Sequence, residues 1–99
     1  MNKTTLIISE GTKEIRKPFE EIEKIIIPDG AEIIEDYAFS DYSALTSITI
    51  PDSVTSIGYG VFYNCSSLKS IYIDKEKDSL DLSYAGIPEN CKVYWRGEF

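Results

Sequence analysis

Histidine is absent from this chain. That removes the side chain whose proton moves most readily near neutral pH, and with it most general bases, catalytic triads and zinc sites. Cysteine is nearly absent. The two present, Cys65 and Cys91, cannot complete a four-ligand zinc site by themselves, and no Gly-x-Gly-x-x-Gly or phosphate-loop pattern occurs. No cofactor and no metal is therefore implied. Positive charge is also scarce, since ten lysines and arginines stand against seventeen acids for a formal net charge of -7. An acidic surface repels phosphate, so nucleic acid is disfavoured as a partner. Apolar runs are short: Leu6-Ile7-Ile8 near the start falls far below the roughly 18 residues of a membrane span. It is also too short for the core of a signal peptide, so the chain reads as cytoplasmic as written, unless an upstream signal has been removed.

What the chain does contain is an echo. Residues Ile22 to Ala44 are followed at once by Leu45 to Ser67 in the same pattern, with seven of 23 aligned pairs identical. Among these are Ile25/Ile48, Ile27/Ile50, Pro28/Pro51, Asp29/Asp52, Ile34/Ile57 and Phe39/Phe62. A fixed period of this size marks a stacked solenoid, in which no unit buries its apolar side without neighbours above and below.

The frame extends in both directions. Leu68, Ile71, Ile73 and Leu80 fall one period after Leu45, Ile48, Ile50 and Ile57, but Asp74 then replaces the proline and Ala85 stands at the phenylalanine position. Upstream, Leu6, Ile8, Gly11, Ile15 and Phe19 repeat the order of Ile25, Ile27, Gly30, Ile34 and Phe39 in a shorter unit. Terminal repeats are expected to be atypical because one side meets water. The chain (1–99) is thus expected to be a single domain, with an opening unit at 5–21, regular repeats at 22–44 and 45–67, and a degenerate closing unit at 68–99 ending in Val93 to Trp95.

Within a unit, Ile48 and Ile50 flank Thr49 with the period of two of a strand, and Pro51 ends the ladder. The stretch Ile48-Thr49-Ile50-Pro51-Asp52-Ser53-Val54-Thr55-Ser56-Ile57-Gly58, with Val61-Phe62 and Cys65-Ser66-Ser67-Leu68, resembles a BspA-like leucine-rich repeat. Ile27-Pro28-Asp29-Gly30, Ile34 and Ala38-Phe39 resemble it equally, with Tyr42 where the pattern favours cysteine. The resemblance implies a mostly β, short right-handed leucine-rich-repeat solenoid with short helical or 3-10 turns. It also implies a non-enzymatic role in protein recognition, often in adhesion at a bacterial or protist surface.

Several small patterns invite chemistry. Ser66-Ser67-Leu68-Lys69 has the Ser-x-x-Lys spacing of an acyl-transfer site, but it falls out of the repeat and lacks companion motifs. Asp29 and Asp52 share a column and could pair for a cation or for acid-base work, although capping the bend is the simpler use of an aspartate there. Asn2-Lys3-Thr4 and Asn64-Cys65-Ser66 meet the glycosylation spacing, which short patterns reach by chance. Both cysteines are expected as buried reduced thiols, with a disulfide or a reactive site as alternatives.

Strand alternation singles out one surface. If Ile25, Ile48 and Ile71 point inward, then Ile7, Ile26, Thr49, Tyr72 and Tyr94 share the outer side of the sheet, with Lys24, Ser47, Ser70 and Lys92 as a polar rim. This column is the expected partner-binding site for a protein or peptide, against the plainer explanation that these residue types favour strands. A second reading gives the role to a small intracellular inhibitor or regulator acting through an acidic patch of Glu20, Glu21, Glu23, Glu32, Glu35 and Asp36. Tyr37, Tyr42, Tyr59 and Tyr63 fall in the bends, where packing of the coil corners is expected. Homodimerisation through the edge strands Thr5 to Ile8 and Lys92 to Trp95 is also open.

Overall fold

The computed structural model describes residues 23–99, together with the backbone of strand 5–7. Seven strands are present among these residues: β1 (Thr5–Ile7), β2 (Lys24–Ile26), β3 (Ile33–Ile34), β4 (Ser47–Ile50), β5 (Ser56–Ile57), β6 (Ser70–Ile73) and β7 (Lys92–Trp95). The rest of the proposed opening unit, including Ile8, Gly11, Ile15 and Phe19, lies outside the described residues.

The fold is a parallel β-solenoid. Strands β1-β2-β4-β6-β7 form one five-stranded sheet and β3-β5 a second, two-stranded one. Every pairing is parallel, and the register between β2 and β4 matches Lys24 with Ser47, Ile25 with Ile48 and Ile26 with Thr49, one sequence period apart. The β4-β6 pairing repeats that offset, and β6-β7 pairs Ser70 with Lys92 through Ile73 with Trp95. Period in sequence has become height in space.

The columns that point between the sheets fill the interior. Ile25, Ile48 and Ile71 form one ladder, while Ile50, Ile73 and Trp95 form another, and all six are buried. Phe39 and Phe62 are fully buried in successive coils with ring centroids 6.1 Å apart. Leu45 and Leu68 close the coils at the start of each period. Burying such side chains contributes about 1.5–3 kcal/mol each, so a coil stripped of its neighbours would lose most of what orders it.

The bends consist of successive turns with bonds three residues apart, such as Ala38 N–H to Glu35 O at 3.1 Å and Ser40 N–H to Tyr37 O at 3.1 Å. These have the bond spacing of the 3-10 turns expected there, and none lengthens into a helix among the described residues. Left-handed backbone recurs at equivalent positions: Tyr37 (φ 59°) with Gly60 (φ 60°), and Asp41 (φ 66°) with Asn64 (φ 62°). Gly60 suits this bend because its φ favours glycine, and the exposed Tyr37 ring lies in the space a Cβ would take. At the second pair, Asn64 Nδ2 donates to Asp41 Oδ1 at 2.8 Å, tying one bend to the next.

Candidate functional site

The outer face of the five-stranded sheet is built by register alone. Thr49 pairs with Ile26 on one side and Tyr72 on the other, and Tyr72 pairs with Tyr94, so these residues form one row across four strands. Ile7 pairs with Ile26 through its backbone, while its side chain lies outside the described residues. Ile26 is 43% exposed, Thr49 is exposed, and Tyr72 and Tyr94 are half-buried. The tyrosines lose exposure to one another. Their rings stack at 5.3 Å with planes 17° apart, and Phe99 packs on Tyr72 at 5.1 Å. The row expected from alternation is therefore contiguous, and Phe99 extends it in a way no periodicity signals.

Lys24, Ser47, Ser70 and Lys92 form a second row in the same register. The strand alternation places them on the same side as Ile26 and Tyr72. In these two rows the only charges among the described residues are the two lysines, on an otherwise acidic chain. Beyond β7, Gly97 (φ 91°) turns the chain so that the Glu98 carboxylate accepts the Trp95 N–H at 2.8 Å and Glu98 N–H returns a bond to Trp95 O at 2.9 Å. This local exchange satisfies an edge-strand donor that a second chain would otherwise use.

The acids are arranged differently. Glu20 and Glu21 lie outside the described residues; Glu23 precedes β2 and is half-buried, whereas exposed Glu32, Glu35 and Asp36 flank β3 in the other sheet. They follow the coil around instead of gathering on one sheet. Asp36 Oδ1 accepts the Tyr59 N–H of the next coil at 2.8 Å.

The bend tyrosines divide. Tyr42 is 4% exposed and stacks beside Phe39 at 6.3 Å, and burial pushes its hydroxyl up to about 12, with a smaller contribution from Cys65. Tyr37, Tyr59 and Tyr63 are instead exposed, as is Tyr84. Packing holds for Tyr42 alone because its column points inward, where the equivalent residue in the next coil is the buried Cys65. Tyr59 and Tyr84 meet in space, with ring centroids 5.2 Å apart and planes inclined at 60°. They edge a hollow of about 310 Å³ lined also by Asp36, Ser56, Ile57 and Gly58.

The remaining candidates resolve into structural contacts. Cys65 is a buried thiol whose S–H points to Phe39 O at 3.1 Å, and Cys91 is only half-buried, with its thiol pushed up by burial. Both are reduced. Ser53, not the aspartate column, binds the bend: its hydroxyl accepts Gly30 N–H at 2.9 Å and donates to Ala31 O at 2.8 Å. Asp52 instead accepts from Arg96 at 3.3 Å, and Asp74 does so at 2.8 Å, which raises the Arg96 pKa. Lys69 is exposed, its backbone engaged with Thr46 and Lys92 in the ladder. Among the described residues no group of three or more acids or cysteines could hold a metal ion, and no helix is long and apolar enough to cross a membrane.

A family model for the BspA type leucine rich repeat region, in its six-copy form, matches residues 4–91. No curated protein and no solved structure matches the chain.

Proposed function

This chain belongs to the BspA type leucine rich repeat family, and from that premise we propose that it is a non-enzymatic protein-recognition module whose contact surface is the outer face of the five-stranded sheet. Leucine-rich repeats act generally as protein-binding scaffolds. The observation that carries the assignment here is the unbroken row of Ile26, Thr49, Tyr72 and Tyr94 across neighbouring strands. Tyrosines bring large contact area with little side-chain entropy to lose. Phe99 already packs against Tyr72, so an aromatic side chain has a seat on this surface. A rim of Lys24 and Lys92 favours a protein segment with acidic residues beside its apolar ones. An adhesion-type role at a cell surface is the setting the family suggests for such a contact.

Affinity capture of partners from the native host tests the assignment. Replacing Ile26, Thr49 and Tyr72 together by serine is expected to abolish capture while circular dichroism stays unchanged, because the inward columns are untouched. Reversing Glu32 and Glu35 to lysine should leave capture intact. If the second variant loses the partner and the first retains it, recognition runs through the acidic residues and the chain acts as a small regulator.

A further inference from the structure

The hollow beside Tyr59 and Tyr84 is a site of a different kind, independent of the outer sheet. Its two aromatic walls are held by backbone bonds: Tyr59 O accepts Tyr37 N–H at 2.8 Å, and Tyr84 O accepts Gly60 N–H at 2.7 Å. Asp36 is fixed at the same place by accepting Tyr59 N–H. Gly58 makes room for this, since a Cβ there would stand 2.6 Å from the Asp36 backbone nitrogen. The result is a carboxylate beside two inclined rings more than half exposed. Aromatic faces carry partial negative charge and attract cations, and a planar guanidinium both stacks on a ring and bonds a carboxylate. We propose that this hollow binds the guanidinium of an arginine side chain, stacked against Tyr59 and Tyr84 with its N–H groups directed at Asp36.

The test follows the ring-proton NMR signals of Tyr59 and Tyr84 in the full chain. N-acetyl-arginine amide is titrated against N-acetyl-citrulline amide, which has nearly the same shape without the charge. A short peptide with one central arginine separates a free amino acid from a protein-borne one as the source. Saturable shifts are expected with arginine and none with citrulline. Asp36→Asn keeps an acceptor for Tyr59 N–H and so spares the bend, yet should weaken binding about tenfold, and Tyr84→Leu should weaken it by about as much. Glu35→Gln, which removes one nearby charge but no cage member, should leave it within about twofold. Equal response to citrulline, or equal loss in Glu35→Gln and Asp36→Asn, would overturn the proposal. Because none of these residues belongs to the outer row, failure here leaves the sheet-face assignment standing, and the reverse also holds.

Discussion

The coil that begins at Leu45 and the one that begins at Leu68 share a strand ladder but not an interior. Strand β4 pairs with β6 over four residues, and β6 pairs with β7 over four more, β7 keeping the alternation with Val93 opposite Ile71 and Tyr94 opposite Tyr72. On the opposite side the likeness fails. Strands β3 and β5 pair between the two regular coils, and the described residues show no third strand beside them. Next to Phe62 the closing coil offers only Ala85, whose carbonyl accepts the Phe62 N–H, while its large buried side chain, Trp95, stands in the column of Ile50 and Ile73. The difference has a physical source. Backbone pairing asks only for an extended chain at the right height, whereas a packed column asks for a side chain of particular volume.

The sharpest way to break this comparison is to remove volume from each coil in turn. Phe62→Ala, in the regular coil, should cost about 3–5 kcal/mol, and Leu80→Ala, in the degenerate one, about 2–3 kcal/mol. Urea unfolding followed by circular dichroism checks both. Equal losses would mean that the closing coil is packed as tightly as the others. Backbone crowding comes next: Gly58→Ala sets a methyl group against Asp36 and should cost about 1–3 kcal/mol in the same assay. A cost near zero would show that the two coils separate easily at that bend.

The smallest effect concerns the interior bend residue Tyr42. Its hydroxyl titrates at about 12 when folded, above its ordinary value of 10.0. The folded state therefore favours the protonated phenol, so this contribution is complete below pH 10 and disappears as pH rises toward 12. Tyr42→Phe should flatten the fall in urea midpoint across that interval and remove one late component from the tyrosinate absorbance titration. Parallel pH curves for the two proteins would show that Tyr42 does not couple ionisation to folding.

Periodicity made some parts of this structure readable and left others hidden. Ile25, Ile48 and Ile71, and the outer row beginning at Ile26, could be assigned because contacts between residues one period apart repeat in the sequence. Arg96 with Asp52, Phe99 on Tyr72 and Glu98 at the Trp95 N–H leave no such trace, since each joins residues that occur once. Cys91 was expected to be buried and is half-buried, consistent with its place outside the cysteine column. The exposed Tyr59 and Tyr84 meet although the closing coil is out of step by the time it reaches them, with Gly60 N–H bonding to Tyr84 O 24 residues on. Equal spacing would have sought a partner for Tyr59 elsewhere.

Each residue in the outer row comes from a different turn of the chain, while its inward neighbours do the packing. A substitution at Thr49 or Tyr72 edits one rung and leaves Ile48, Ile50, Ile71 and Ile73 as they were. Such a surface can be respelled a letter at a time, by selection or by design, and its length changes by whole rungs. A loop-built site lacks that freedom, because there the residues that touch a ligand are often the same ones that hold the loop in shape.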